Sequence, residues 1–223
     1  MKLSMIIPVL NEEGSVGRCL DRLDALKGDF DVLFVDGGSV DATRELIVGR
    51  RPLIQSPPGR GRQMNAGARA AGGNVLLFLH CDSFLPVQFC DKIDSILRHG
   101  YDWGCFHLAF DCASPLLRLC AWVSDFRVKT RHIVFGDQGM FIRRKLFEDC
   151  GGFPEIALME DYALSERLRA VATPGLARGT IVTSARRFQE RGVLPTLLKM
   201  QFLQYRYRRG DAAEQLLKDY NKP

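Results

Sequence analysis

Four polar clusters follow four apolar runs in the first half of the chain, and their residue types suit the binding of a nucleoside diphosphate. They read PVLNEE from residue 8, DGGSVDAT from residue 36, GRGRQMNAG from residue 59 and HCDS from residue 80. A carboxylate at Asp36 could accept hydrogen bonds from a base or ribose. The glycines around Arg60 and Arg62 let backbone approach a phosphate at a helix N-terminus. Asp82 could hold a divalent cation that neutralises a leaving diphosphate.

Each cluster, taken alone, is also compatible with ordinary turn and helix-capping chemistry. A fifth cluster, Met159-Glu160-Asp161-Tyr162, opens a helix after the turn 151–154. Acids in a first helical turn interact favourably with the helix dipole, and a general base beside a nucleotide crevice would need the same position. The residues alone favour neither interpretation.

The elements that must position these clusters alternate between strand and helix. Continuous apolar runs at 3–9, 31–35, 53–55 and 74–79 predict strands, and segments with helical spacing of apolar residues separate them. Runs this apolar predict a parallel sheet covered on both faces by helices. Ligands of such sheets bind beyond the carboxyl ends of the strands, where the four clusters would meet.

The second half of the chain is less regular. It predicts strands at 103–110 and 139–143 and helices at 115–130, 160–172 and 193–209. The last helix is basic and amphipathic, with one apolar stripe of Leu194, Leu197, Leu198, Phe202 and Tyr205. No linker or repeat divides the chain, so we expect one domain over 1–223, with residues 1–100 binding a nucleotide and 101–223 a variable partner.

Composition limits the class of protein. The chain has 223 residues, 46% of them hydrophobic, and no apolar run approaches the ~18 residues that indicate a membrane-spanning helix. Its seven cysteines include no Cys-x-x-Cys pair, which disfavours a zinc site or a disulfide framework. We therefore expect buried, reduced cysteines and a cytoplasmic protein.

Positive charge is concentrated near the C-terminus. Between Arg186 and Arg209 the chain has seven Lys or Arg residues and one acid, Glu190. This segment predicts an anionic partner, such as a diphosphate, a phosphorylated acceptor or a membrane surface, although a solvated helix face is the alternative. The helix 193–209 could lie on a membrane, but we favour packing of its apolar stripe onto the domain. Its aromatic residues are too few to predict nucleic-acid binding.

In this order, the motifs resemble those of the family 2 glycosyltransferases. The resemblance covers residues 1 to about 170 and rests on PVLNEE, VDGGSVDAT, GRGRQMNAG, LHCDS, GDQGMFIRR and GGFPEIALMEDYALSERL. The remaining residues, including SARRFQERG, look like a short bacterial branch sometimes associated with arsenosugar biosynthesis. The resemblance implies an α/β GT-A fold with a mostly parallel, Rossmann-like sheet. It also implies inverting transfer from a nucleotide-diphospho-sugar to a hydroxyl of a small-molecule or lipid-linked acceptor.

The resemblance also implies roles for individual residues. It assigns the nucleotide-sugar pocket to Pro8, Asn11, Glu12, Asp36, Ser39, Arg60, Arg62, Asn65, His80 and Asp82. It makes Asp82 the ligand of a divalent metal, Mn²⁺ or Mg²⁺, and Asp161, the second acid of the Glu160–Asp161 pair, the catalytic base. It assigns the acceptor and diphosphate region to Asp137, Gln138, Arg187 and Arg191.

Two departures from the family pattern keep other interpretations open. His80 stands where the metal motif usually begins with an acid, and imidazole suits Mn²⁺ better than Mg²⁺. The frequent Gln-x-x-Arg-Trp motif is absent, and 186–191 is its nearest arginine-rich substitute. A degenerate nucleotide-sugar sensor or scaffold therefore remains an alternative, as does a sugar nucleotidyltransferase, although the chain lacks an N-terminal glycine-rich loop with a lysine.

Overall fold

The computed structural model describes residues 1–222, which form strands and helices in alternation through the first hundred residues. The strands are β1 (Leu3–Val9), β2 (Phe30–Asp36), β3 (Leu53–Gln55), β4 (Val75–Phe78), β5 (Ser83–Phe84), β6 (Trp103–Phe110), β7 (Met140–Arg143) and β8 (Gly175–Thr183). The helices are α1 (Glu13–Asp24), α2 (Thr43–Ile47), α3 (Arg60–Ala70), α4 (Phe89–Arg98), α5 (Pro115–Arg131), α6 (Arg144–Asp149), α7 (Glu160–Arg169), α8 (Arg186–Arg191), α9 (Val193–Arg208) and α10 (Ala213–Asn221).

All the strands join one eight-stranded sheet in the order β3-β2-β1-β4-β7-β6-β8-β5. The first four strands are parallel to one another, as predicted, so their carboxyl ends share one edge. Beyond β4 the sheet is mixed: β7 runs antiparallel to both β4 and β6, and β8 is parallel to β6. The sheet therefore combines a parallel half with a mixed half.

Helices cover both faces of the sheet because the central strands are apolar on both sides. Along β1, the side chains of Leu3, Met5 and Ile7 pack with those of α1 and α4 in one core cluster. Ile6 points to the other face and packs with residues of α3 and α7, including Met64 and Leu164. This confirms the predicted α/β architecture with helices on both faces.

The predicted orientation of the C-terminal amphipathic helix is wrong. Helix α9 forms within the predicted range, but four residues of the predicted inward stripe are exposed: Leu194 (56%), Leu198 (62%), Phe202 (57%) and Tyr205 (47%). Its opposite side, with Val193, Leu197, Met200 and buried Leu203, contacts the domain instead. Both sides are apolar at helical spacing, so periodicity alone could not select the inward one.

Four of the seven cysteines are buried, as predicted: Cys19, Cys81, Cys90 and Cys105. Cys112, Cys120 and Cys150 are half-buried. Burial raises the pKa of the Cys105 thiol, which keeps it protonated and unreactive. Over residues 1–222, no helix is both long and apolar enough to cross a bilayer.

Candidate functional site

The turn after β2 is held by the carboxylate of Asp36, which is fully buried. Its oxygens accept hydrogen bonds from the Ser39 hydroxyl at 2.5 Å and from the backbone N–H groups of Gly38 and Ser39 at 3.1 Å. The first contribution of Asp36 and Ser39 is therefore to fix the shape of this loop. This is the turn chemistry that the sequence left open beside a role in binding a base.

The loops after β1 and β2 are joined by polar contacts of Asn11 and Glu12. The backbone N–H of Asn11 donates to the Ser39 hydroxyl at 2.9 Å, and the N–H of Val40 donates to Oδ1 of Asn11 at 3.0 Å. The N–H of Glu12 donates to the Thr43 hydroxyl at 2.7 Å. Pro8 lies in β1 just before this junction. These hydrogen bonds join the predicted pocket segments after β1 and β2 into one rim.

Gln63 supports this rim and was not singled out from the sequence. Its side-chain amide is buried and donates to the carbonyl oxygens of Val9 and Val35, each at 2.8 Å. It thereby links α3 to the carboxyl ends of β1 and β2. A side chain on Gly37 would approach Gln63 to 3.0 Å, so the close contact explains a glycine there.

Helix α3 places the two predicted phosphate-binding arginines differently. Arg60 is its first residue and lies 3.4 Å from a carboxylate oxygen of buried Glu160. Desolvation alone would lower the pKa of Arg60, but the charges of Glu160, Asp161 and Asp82 outweigh it and raise that pKa. Arg62 points to the surface and pairs with Glu155 at 3.2 Å. Arg60 is thus the arginine of this loop that faces the acidic residues.

Asn65 holds the loop that precedes the Glu160–Asp161 pair. Its side-chain nitrogen donates to the carbonyl of Phe153 at 2.8 Å, and its oxygen accepts from the N–H of Phe153 at 2.9 Å. Both contacts are buried, and together they tie α3 to residues 151–154. The structure therefore gives Asn65 a positioning contact that the sequence did not predict.

Asp161, His80 and Gly136 meet at one point of the crevice. Asp161 is the second residue of α7, and its Oδ2 accepts a hydrogen bond from the N–H of Gly136 at 2.9 Å. A side chain on Gly136 would come within 2.5 Å of Nε2 of His80 and 3.6 Å of Oδ2 of Asp161, so this position requires glycine. Burial, with a smaller effect of Arg60, lowers the pKa of His80 to about 3, so its imidazole is neutral.

Asp82 lies between cations and another acid. Burial raises the pKa of Asp82. Three arginines act in the opposite direction: Arg186, Arg60 and Arg187. Burial also raises the pKa of Glu12, and the charge of Asp82 raises it further.

The arginines of the segment 186–191 also contact the C-terminal segment. Arg187 lies over the ring of Tyr220 at 4.2 Å, and the exposed Arg191 donates to the carbonyls of Tyr220 and Lys222. Residues 186–191 are the predicted substitute for the Gln-x-x-Arg-Trp motif. In this segment the charges of Arg186 and Arg187 act to lower the pKa of Asp82, while Arg187 and Arg191 contact the C-terminal segment.

Arg127 is a half-buried cation of this site that sequence reasoning missed. Its guanidinium donates to Oε1 of Gln138 at 2.7 Å and lies 4.0 Å over the ring of Phe135. Desolvation lowers its pKa, and the carboxylate of Asp137 opposes that shift. Only its place in a long helix was visible in the sequence, so no local signal marked it.

Asp137 is a carboxyl group of the crevice with an unpartnered oxygen. Its Oδ1 is buried and accepts no hydrogen bond. Burial raises its pKa to about 6. The charge of Arg127 opposes this rise, whereas Asp161 and Asp82 add to it. An ionised Asp137 therefore costs folding free energy near neutral pH.

We expect Asp137→Asn to stabilise the fold at neutral and alkaline pH. The pKa of Asp137 is about 6 in the folded protein and roughly 3.9 in an unfolded chain. The cost of ionisation is therefore absent at low pH, grows as the pH rises between these values and is complete above the folded pKa. Removing it should raise stability by about 1–3 kcal/mol at alkaline pH.

Thermal unfolding between pH 4 and pH 8, without nucleotide and with a chelator, measures this effect. The gain in midpoint should be roughly 3–8 °C at pH 8 and vanish toward pH 4. Asp29→Asn, an exposed acid away from the crevice, is the matched control and should change little at any pH. A variant that is less stable than the native protein at pH 8 would contradict the assigned cost.

The donor atoms of the crevice suit a hard divalent cation that the substrate helps to bind. Asp82 supplies a desolvated carboxylate, and a cation beside it would relieve the effect that raises its pKa. Within the described residues, no group of three His, Cys, Asp or Glu side chains is arranged to hold a metal ion. Mg²⁺ is often held by one or two carboxylates, water and substrate phosphates, and one carboxylate is enough for such a site.

Comparisons with known proteins identify the family of the chain. Residues 4–151 match the model of the family described as Glycosyl transferase family 2. A dolichyl-phosphate hexose transferase of Haloferax volcanii is 31% identical over 103 residues, which cover 45% of each chain. An undecaprenyl-phosphate 4-deoxy-4-formamido-L-arabinose transferase of Pseudomonas fluorescens is 28% identical over 113 residues, covering 45% of this chain and 33% of that one. The matched part is thus less than half the length of these relatives.

Solved structures share the fold at lower identity. The mannosyltransferase PcManGT from Pyrobaculum calidifontis, solved with GDP-Man and Mn²⁺, superposes with a TM-score of 0.68 at 16% identity, covering 98% of this chain and 67% of that one. Residues 1–349 of TarS from S. aureus, solved with UDP-GlcNAc, give a TM-score of 0.61 at 21% identity, covering 82% and 56%. The fold is therefore the GT-A fold, and the chain belongs to glycosyl transferase family 2.

Proposed function

We propose that this chain transfers a sugar from a nucleoside-diphospho-sugar to an acceptor hydroxyl with inversion at the anomeric carbon. The observation that carries the proposal is the position of Asp161. Its carboxylate lies at the start of α7, and its charge, like that of Asp82, raises the pKa of Arg60. A proposed base and a proposed metal-binding acid therefore lie near the same arginine, beyond the carboxyl ends of the parallel strands. A single displacement with inversion needs these two functions on opposite sides of the reacting carbon.

In this proposal each part of the crevice contacts a different part of the substrates. The rim formed by Pro8, Asn11, Glu12, Asp36 and Ser39 receives the nucleoside. Arg60 and Arg187 contact the diphosphate, and Arg62 joins them only if its guanidinium leaves Glu155. Asp82 would hold a divalent cation, Mn²⁺ or Mg²⁺, which would supply positive charge beside the diphosphate. Asp161 accepts the proton of the acceptor hydroxyl, while Asp137 and Gln138 border the acceptor.

His80 contributes as a neutral group in this proposal. Its lowered pKa leaves Nε2 or Nδ1 free to accept a hydrogen bond or to ligate a soft enough cation such as Mn²⁺. It lies next to Gly136 and near Asp161, and in this proposal it stands between the donor and the acceptor. We therefore expect a preference for Mn²⁺ over Mg²⁺.

We base the proposed acceptor on the names of two relatives. These names specify dolichyl phosphate and undecaprenyl phosphate, which are lipids that end in a phosphate. We propose first a lipid-linked acceptor that offers a hydroxyl, because a base at Asp161 is needed only for a hydroxyl, and second a small-molecule acceptor. The protein would work in the cytoplasm or at the inner membrane face, with residues 1–100 binding the donor and 101–223 the acceptor.

Thermal stabilisation by nucleotides tests the proposed donor. UDP, GDP, CMP and their common sugar conjugates are compared with and without Mn²⁺. One nucleoside diphosphate should raise the unfolding midpoint, since a ligand at a hundred times its Kd contributes about 2.7 kcal/mol, or roughly 5–10 °C for a domain of this size. Mn²⁺ should enlarge this shift and have little effect alone.

The other outcomes distinguish the alternatives. A folded protein that responds to none of these ligands contradicts the proposed donor site. Strong binding without transfer or hydrolysis, against any acceptor tried, favours the sensor or scaffold. Release of pyrophosphate from a nucleoside triphosphate favours a nucleotidyltransferase.

A further inference from the structure

Helix α5 exposes an apolar face on the surface of the described part of the chain. One side of the helix is buried against the domain through Leu117, Ala121, Ser124 and Val128. The other side exposes Leu119 (56%), Trp122 (63%), Val123 (44%) and Phe126 (53%). These four residues follow helical spacing, and the rings of Trp122 and Phe126 stack at 5.6 Å with an interplanar angle of 15°. Such a stripe of large side chains marks an interaction surface.

The exposed stripe of α9 lies on the neighbouring helix. The two helices share one small core cluster, in which Leu117 of α5 packs with Val193, Leu197 and Met200 of α9. Their outer sides therefore belong to adjoining surfaces. We call the exposed apolar residues of both helices the α5–α9 face: Leu119, Trp122, Val123, Phe126, Leu194, Leu198, Phe202 and Tyr205.

The charges on α5 and α9 themselves are almost all positive. Exposed cations occur on α5 and at the end of α9: Arg118, Lys129, Arg131, Arg208 and Arg209. The only acid within the two helices is Asp125, whose Oδ2 is hydrogen-bonded to His107 at 2.6 Å. Two copies of this face would therefore repel each other, whereas an anionic surface would be attracted.

We propose that the α5–α9 face docks this protein on an anionic lipid bilayer. The apolar and aromatic side chains enter the interfacial region, where Trp and Tyr rings are favourably placed, and the flanking arginines and lysines contact lipid phosphates. The inference goes beyond the proposed sugar transfer and does not depend on it. A protein that binds vesicles but no nucleotide would contradict only the proposed function.

Trp122 is a built-in reporter for this docking. The chain has two tryptophans, Trp103 and Trp122, and Trp103 is fully buried. Acrylamide quenching of the full chain therefore reports mainly on Trp122. We expect a blue shift and protection from quenching with vesicles of phosphatidylcholine and phosphatidylglycerol, but not with phosphatidylcholine alone. Added salt should reverse the effect.

Paired variants identify the surface responsible. The double variant Trp122→Ser/Phe126→Ser should lose co-sedimentation with the anionic vesicles by roughly tenfold or more. Val48→Ser/Val171→Ser replaces two valines that are 65% and 66% exposed on other parts of the surface, and should bind as the native protein does. Circular dichroism should show both variants folded.

Three results would overturn the proposal. Equal binding to neutral and anionic vesicles would remove the electrostatic part on which it rests. Protection of Trp122 that depends on protein concentration without lipid, with a dimer in sedimentation velocity, would make a second copy the occupant. Unchanged vesicle binding in the Trp122→Ser/Phe126→Ser variant would place the contact elsewhere.

Discussion

Replacing Asp161 with asparagine is expected to lower the turnover of sugar transfer by roughly 10²–10⁴-fold, the usual contribution of a general base. Two backbone N–H groups donate to this carboxylate, that of Gly136 to Oδ2 at 2.9 Å and that of Tyr162 to Oδ1 at 2.7 Å. The amide oxygen of asparagine can still accept the bond from Gly136, so the turn 136–138 should keep its shape, while loss of the bond from Tyr162 should lower stability by about 1 kcal/mol. Donor binding, measured as thermal stabilisation by the nucleotide, should stay within about twofold of the native affinity, a difference of under half a kcal/mol.

Glu166→Gln is the matched control for this experiment. Glu166 lies on the same helix and pairs on the surface with Arg169 at 3.6 Å, and 41% of its side chain is exposed. Its substitution should leave both turnover and stability almost unchanged. Undiminished turnover in Asp161→Asn, together with normal donor binding, would show that another group removes the acceptor proton.

The surroundings favour Asp161 over its two neighbours as the base. Glu160 is buried and faces Arg60, and burial raises its pKa, so its carboxylate is committed to an interaction inside the protein. His80 has a pKa lowered to about 3, which makes its neutral ring too weak a base for this step. Asp161 forms no ion pair in the described part of the chain, and its two oxygens accept backbone hydrogen bonds from Gly136 and Tyr162, which fix its carboxylate in the crevice.

The parallel half of the fold could be predicted because its strands are buried on both faces. Residues such as Ile6 and Ile7 contact different core clusters, so β1 has no polar side and its apolar run is unambiguous. The polar residues that follow such strands must then lie along one edge of the sheet. This reasoning alone predicts that Asp36 and the start of α3 lie in the same crevice.

The rest of the site depends on contacts that no local pattern reveals. Gln63 and Arg127 act through bonds to residues far along the chain or across a loop, and each lies in an ordinary helical segment. Strand β8 (GLARGTIVT) contains two glycines and a bulge in its pairing with β6, which obscures the alternation expected of a strand. Helix α9 is apolar on two sides, and only the packing of Leu197 and Leu203 selects the inward one.

Replacing Asp82 with asparagine is expected to separate metal-assisted donor binding from folding. The variant should lose the extra thermal stabilisation that Mn²⁺ adds to the nucleotide. Its affinity for the nucleotide with Mn²⁺ should fall by at least roughly tenfold, since loss of even an indirect partner of a metal ligand typically costs that much. The unliganded protein should be as stable as the native one or slightly more stable near neutral pH, because burial raises the pKa of Asp82 and its charge opposes folding there.

Asp91→Asn, an exposed acid in the first turn of α4, provides the control for loss of one negative charge. It should keep the full Mn²⁺ effect on nucleotide binding. If Asp82→Asn also keeps that effect, Asp82 does not hold the metal, and the unpartnered oxygen of Asp137 becomes the next candidate. If instead both the native protein and Asp82→Asn bind nucleotide equally well with and without Mn²⁺, the arginines around Asp82 neutralise the diphosphate without a metal. That result would also explain why His80, rather than an acid, begins this motif.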